Sequence, residues 1–232
     1  MRNVQADKSA KLIADLEGDD FSCHAGPLST RLEWQELRRR VLSLDTQEHE
    51  LYTVEDGWIE LHSGERFFYR SPTADMIHLS DIAASLGKTA RYAGHTHTFY
   101  SVAEHSCLLM RWARRNIVPD RRLLRTILMH DATEAYIPDV PRPLKHMVPL
   151  FREFEGSIER VMSPKFDLIS PHPAIIREID SRILRDEREQ AMNPSGNDWG
   201  TDKLEPLGVK LHLWPPEVAI DNFLGDYAEV AP

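Results

Sequence analysis

The sequence predicts an all-α protein with one small β-hairpin, set behind a charged N-terminal extension. Three observations carry that prediction. From residue 80 onward, apolar residues recur at spacings of three and four between capping residues. Only residues 58–69 alternate with a period of two. Residues 1–56 hold clustered charge but few large apolar side chains. The expected organisation is therefore an extension over 1–56 and one folded domain over 57–232. A chain of 232 residues, 41% hydrophobic and 28% charged, has a globular composition and can bury a real core.

The elements follow in order. Within 1–56, Asp19-Asp20 and Arg38-Arg39-Arg40 accompany helical stretches around 8–16 and 32–44, which read as an extension or flap. Trp58-Ile59-Glu60-Leu61-His62 and Glu65-Arg66-Phe67-Phe68-Tyr69 alternate on either side of Ser63-Gly64, a hairpin around a two-residue turn. Ser80-Asp81 reads as the N-cap of a helix that carries Ile82, Ala83 and Leu86 and ends at Gly87. Ser101-Val102-Ala103-Glu104 is a capping-box pattern opening a helix to about 114, with Val102, His105 and Leu109 on one face. Residues 122 to 136 form the next helix and align Leu123, Ile127, Asp131 and Glu134. Two prolines make Asp139-Val140-Pro141-Arg142-Pro143 a loop, after which helical spacing resumes from 144 to 162. Pro173 opens a helix to 192 in which Ile176, Asp180, Ile183 and Glu187 share a face. A Gly- and Pro-rich loop fills 193–208, and residues 216 to 227 close the chain as a helix.

Charge and cysteine content exclude several classes of function. The 28 Lys and Arg against 37 Asp and Glu leave a formal net charge of −9, which argues against a broad nucleic-acid footprint. An anionic ligand must then be met by a local cluster of cations. Cys23 and Cys107 form neither a disulfide framework nor a C-x-x-C pair, and a reducing cytoplasm is the expected location. The N-terminus lacks the apolar core of a signal peptide, and no apolar run approaches the roughly 20 residues that span a bilayer, so no membrane association is expected.

The chemistry-bearing residues lie on the inward stripes. With 11 His in the chain, about one His-Asp dipeptide is expected by chance, so His130-Asp131 alone means little. Its company gives it weight, because His105 and Asp180 also sit where apolar residues belong. Burying such groups unpaired costs several kcal/mol each, whereas one divalent cation satisfies two imidazoles and two carboxylates together. A mixed N/O set suits Mn²⁺, Co²⁺, Fe²⁺, Mg²⁺ or Zn²⁺. Helix-end histidines with ordinary hydrogen bonds are the competing reading. Neither H-E-x-x-H nor G-x-x-x-x-G-K-[ST] is present, which leaves no motif for a zincin or a P-loop enzyme.

Taken together, Arg91-Tyr92, Tyr100-Ser101-Val102-Ala103-Glu104-His105-Ser106, His130-Asp131-Ala132-Thr133-Glu134-Ala135-Tyr136 and Asp139-Val140-Pro141-Arg142-Pro143-Leu144-Lys145 resemble the HD-domain metal-dependent phosphohydrolases. The likeness is to the branch of 5′-deoxynucleotidases and phage-type deoxynucleoside triphosphatases. Asp180 followed seven residues later by Glu187 fits the same pattern, and the similarity runs from about Trp58 to Tyr227. Residues 1–56 lie outside it.

The resemblance implies an HD-type helical bundle with one divalent ion held by His105, His130, Asp131 and Asp180. It implies that Glu134 activates water and that Asp139 is a second acid near the reacting phosphate, the competing reading of Asp139 being a helix-exit residue bonded to loop amides. Arg91, Lys145 and Arg177 match phosphate-contacting positions, although Arg177, one turn before Asp180, also reads as that residue's ion-pair partner. Tyr92, Gly94 and Pro143 fall where the family lines its sugar and base pocket. His95 and His97, an H-x-H pair, precede the His105 helix and fall outside the ligand pattern. The expected function is hydrolysis of 5′-nucleotides, deoxynucleotides foremost, either a monophosphate releasing phosphate or a triphosphate releasing triphosphate. The alternative is a catalytically silent sensor that binds metal and nucleotide. Relatives in the branch are commonly dimers, so a homodimer is the expected assembly.

Overall fold

The computed structural model describes residues 57–117, 120–148, 150–201 and 203–232. The helical stretches expected within 1–56 lie outside the described residues. The described chain is mostly helical, with one antiparallel hairpin and seven α-helices. Among the described residues no helix is long and apolar enough to cross a membrane.

Strands β1 (Trp58–Glu60) and β2 (Arg66–Phe68) pair with Trp58 opposite Phe68 and Glu60 opposite Arg66. The Leu61 amide donates to the Glu65 carbonyl at 2.8 Å, which leaves residues 62–64 as a three-residue loop where the alternation predicted a two-residue turn. Gly64 explains the difference. Its amide bonds the Leu61 carbonyl at 2.9 Å and its φ of +85° is the left-handed residue that three-residue hairpin loops use. Phe67 points inward and stacks on Tyr136 with ring centroids 4.3 Å apart, while the Tyr69 hydroxyl donates to the Tyr136 carbonyl at 2.7 Å. The hairpin is thereby pinned to the segment that follows His130-Asp131.

Helix α1 (Leu79–Lys88) is preceded by His78 at the N-cap position, so the cap expected of Ser80-Asp81 lies inside the first turn. Asp81 is buried and serves the hairpin instead, accepting from the Ser63 amide at 2.7 Å and the Ser63 hydroxyl at 3.0 Å. Gly87 is not a helix terminator but a contact point. A Cβ there would meet Ile220 at 2.4 Å and the Pro216 carbonyl at 3.1 Å, so glycine lets α1 and α7 (Pro216–Val230) approach closely.

Helix α2 (Val102–Asn116) is buried over most of its length and packs against α1 and α7. Ser101 caps it, accepting from the Glu104 amide at 3.1 Å. The Glu104 side chain does not close a capping box. Fully buried, it accepts from the amides of His212, Leu213 and Trp214 at 2.6, 2.9 and 2.7 Å and so fixes the segment leading into α7. Helix α3 (Arg121–Leu128) also packs on α2 and α7. Its Arg125, almost fully buried, donates to the Phe166 and Val230 carbonyls at 2.7 and 2.6 Å, placing a cation at two helix C-termini.

The helix expected over 122–136 is broken. Met129 (φ −99°, ψ 8°) and Asp131 (φ −99°, ψ 13°) leave the helical region, and a 3₁₀ turn over Ala132–Ala135 follows. The His130 Nδ1 bonds the Ile127 carbonyl at 2.8 Å, occupying the acceptor that the Asp131 amide would need to continue the helix. Helices α4 (Arg142–Met147) and α5 (Leu150–Lys165) likewise replace one expected run from 144 to 162. Val148, which precedes a proline in the sequence, adopts φ −124°, ψ 84° and separates them. Helix α6 (Ala174–Ala191) matches the expected span within a residue at each end. Leu86, Leu109, Ile127, Ile183 and Phe223, each fully buried, bring α1, α2, α3, α6 and α7 into one core.

Candidate metal centre

The break after α3 turns His130 and Asp131 toward α2 and α6, where His105 and Asp180 wait. Ligand atoms of His105, His130 and Asp180 all lie within 4.8 Å of one another. The His105 Nε2 is 3.4 Å from Asp180 Oδ1 and 3.6 Å from Asp131 Oδ2, and the His130 Nε2 is 3.3 Å from the same Asp131 oxygen. Both Nε2 atoms are buried and lack a hydrogen-bond partner. Two orphaned imidazole nitrogens facing two carboxylates fit the donor set of a divalent cation.

The outer nitrogens are already committed. His130 Nδ1–H donates to the Ile127 carbonyl, which leaves the Nε2 lone pair directed at the carboxylates. His105 Nδ1 bonds Glu187 Oε1 at 2.7 Å. Glu187 is fully buried and gathers three further donors: the Tyr100 hydroxyl at 2.8 Å, the Arg91 Nη2 at 3.2 Å and the Tyr92 hydroxyl. Burial pushes its carboxyl up, but Arg91 and His105 outweigh that and hold it at about 2. The sequence reading noted the spacing from Asp180 and gave Glu187 no role. Seven residues are two helical turns, and that spacing was the signal that it faces the same site.

His105 titrates as a group held between charges. Burial and Arg91 push its imidazole down, and Glu187 with Asp180 outweighs them, leaving it at about 9. In the metal-free chain a proton therefore occupies the place that a cation takes. Below about 9 a metal must displace that proton, so affinity falls by about tenfold per pH unit as the pH drops, and levels off above 9. Calorimetric Mn²⁺ titrations in buffers of different ionisation enthalpy check this, with one proton released per ion expected at pH 7.5. Glu187→Gln removes the charge that orients His105 and is expected to weaken Mn²⁺ binding by about 10–100-fold. An unchanged dissociation constant in that variant would mean that His105 needs no such support.

The cations are not free charges. Arg91 is buried and lies 3.6 Å from Asp131 Oδ2 in addition to its Glu187 contact, but its Nε has no partner. Lys145 reaches Glu134 Oε1 at 3.3 Å and Glu155 Oε1 at 2.6 Å, and Glu155 was not anticipated from the sequence. Arg177 is exposed on α6 and forms no ion pair with the described residues. Arg142, not Arg177, approaches Asp180, at 3.4 Å. Tyr92 and Ala93 adopt φ of +56° and +51°, and Gly94 +77°, a left-handed run costly to the first two. That backbone places the Tyr92 ring 5.6 Å from Trp199 and its hydroxyl on Glu187. His95 and His97 are exposed, and His97 bonds the Gln190 carbonyl.

Glu134 sits three residues after Asp131 in the 3₁₀ turn, so the two carboxylates face the same side. It is 6% exposed, with Oε2 buried and unpartnered. Burial, then the charges of Asp131 and Asp139, pushes its carboxyl well up against the opposing pull of Lys145. Asp139 is half-buried and forms no hydrogen bond among the described residues. A cavity of about 240 Å³ opens from His130, Asp131 and Glu134 toward α5. His172, which reads from the sequence as structural or surface, is half-buried on its wall.

No family profile matches the chain. It is 36% identical to the uncharacterized protein YfdR of Escherichia coli (strain K12) over 143 residues, 62% of this chain and 77% of the relative. It is 31% identical to the uncharacterized protein RCAP_rcc00048 of Rhodobacter capsulatus over 173 residues, 69% of this chain and 88% of the relative. With that identity over more than three quarters of YfdR, the chain belongs to the YfdR family.

Proposed function

We propose that this chain is an HD-domain phosphohydrolase that uses one divalent ion and acts on 5′-nucleotides, deoxynucleotides foremost. The observation that carries the reading is the convergence of two buried, partnerless imidazole nitrogens with Asp131 and Asp180. His105, His130, Asp131 and Asp180 are the residues that would hold the ion, and Mn²⁺, Co²⁺, Fe²⁺, Mg²⁺ and Zn²⁺ all suit such a set. Bound there, the ion supplies Lewis acidity toward a phosphoryl oxygen and toward water.

The remaining chemistry belongs to the chain. Glu134 is anchored through Oε1 by Lys145, which leaves the buried Oε2 to take a proton from the attacking water. The upward push on its carboxyl makes it a better proton acceptor near neutrality. Arg91, fixed by Glu187, offers its unpartnered Nε–H to a phosphoryl oxygen. Asp139 is the second acid beside the phosphate. The test is a product assay with Mn²⁺ or Co²⁺ across deoxy- and ribonucleoside mono- and triphosphates, scoring phosphate and triphosphate separately. Metal-dependent release of either product is expected, and release of neither from any nucleotide would refute the reading.

A further inference from the structure

The cavity beside the metal centre has a chemistry that selects among phosphate esters. It extends from His130, Asp131 and Glu134 to Glu155 and Glu159 of α5 and to His172. Four carboxylates line it, and Lys145 is the single Lys or Arg on its wall among the described residues. That ammonium is already paired with Glu134 and Glu155. Arg142 stands outside the lining, on Asp180, and Arg177 is exposed. Beyond the reacting phosphate, the cavity thus offers no cation to a second or third phosphate. It offers hydrogen-bond acceptors instead.

Two further observations point to an occupant. Ser163 is 5% exposed, lines the cavity, and its hydroxyl has no partner. Glu134 Oε2, equally buried, is also unpartnered on the same wall. Buried groups left in this state mark hydrogen bonds that a ligand completes. Met162 and Leu168 add an apolar surface, so the matching group is an uncharged one that carries hydroxyls on an otherwise apolar body.

We propose that this cavity is the leaving-group subsite, that it takes the nucleoside through Glu159 and Ser163, and that it restricts the enzyme to phosphate monoesters. The proposal rests on the phosphohydrolase reading for its turnover but not for its binding. In the reaction, the water oxygen bonds to phosphorus and the bond from phosphorus to the alcohol oxygen breaks. One proton from water passes through Glu134 and the alcohol leaves protonated, so monoester and water give inorganic phosphate and free nucleoside. A polyphosphate tail placed in the same cavity would meet Glu155 and Glu159.

The experiment has two arms, both with Mn²⁺ present. The first compares kcat/KM for deoxynucleoside monophosphates and triphosphates. A preference of at least about 100-fold for monophosphates is expected in the wild type, and Glu159→Gln, which removes one repelling charge, is expected to cut that preference about tenfold. A wild type that prefers triphosphates, or a preference that Glu159→Gln leaves unchanged, overturns the proposal. The second arm measures calorimetric binding of the free deoxynucleosides to wild type, Glu159→Gln and Ser163→Ala. Binding weakened about tenfold in both variants is expected, and equal affinity in all three overturns the subsite. If no ester is turned over, the phosphohydrolase reading fails and the second arm alone decides the cavity.

Discussion

A chain carrying His130→Ala and Asp131→Ala is expected to hold no stoichiometric metal. These two residues contribute one of the two orphaned nitrogens and the carboxylate oxygen that lies within 3.6 Å of both imidazoles. Removing them leaves His105 and Asp180, and His105 in that state keeps its proton between Asp180 and Glu187. A single outer-shell residue typically changes metal affinity by 10–100-fold, so loss of two direct ligands is expected to exceed about 10⁴-fold. Asp180→Ala removes one ligand and is expected to weaken binding without abolishing it. Elemental analysis after exhaustive dialysis of wild type, Asp180→Ala and the double variant checks the series, with a circular dichroism spectrum to show that each is folded. Stoichiometric metal in the folded double variant would place the ion elsewhere.

The second large effect belongs to Glu134. Its replacement by alanine is expected to spare metal and nucleotide binding and to lower kcat by about 10²–10⁴, the usual contribution of a general base. The separation follows from position. Glu134 is outside the four proposed ligands, yet it faces the same side of the 3₁₀ turn as Asp131 and directs an unpartnered oxygen into the cavity. Lys145 loses one of its two carboxylate partners in the variant but keeps Glu155, which limits disturbance of the wall. Parallel measurement of kcat and of the nucleotide dissociation constant distinguishes the outcomes. Full activity in Glu134→Ala would transfer the role of base to another group, Asp139 first.

How much of this was legible in the sequence depends on the distance over which each interaction acts. His105, Asp180 and Glu187 were visible because helical spacing alone puts them on inward stripes. The break at His130 was not, because Ile127, Asp131 and Glu134 are spaced as well for a continuous helix as for α3 and a 3₁₀ turn. Only the His130 bond to the Ile127 carbonyl decides between them. Ser101 and Glu104 match a capping box, but the three amides that claim Glu104 come from residues 212–214 and no local pattern announces them. Gly87 looked like a helix end for a similar reason, its requirement being set by Ile220 across the core. The phosphate-binding cations were legible as residue types only. Their carboxylate partners, Glu187 for Arg91 and Glu155 for Lys145, arrive from other helices and change what those cations are free to do.

The most direct measurement of the central claim is hydrolysis followed as a function of metal occupancy. Protein stripped of metal and reloaded with Mn²⁺ in steps is assayed for phosphate or triphosphate release from 5′-deoxynucleotides, with bound metal determined on the same samples. The account predicts no turnover in the stripped chain and a rate that rises in proportion to occupancy, reaching its plateau at one ion per chain. Turnover that survives stripping, or a chain that binds one ion and nucleotide yet releases no product, would contradict it.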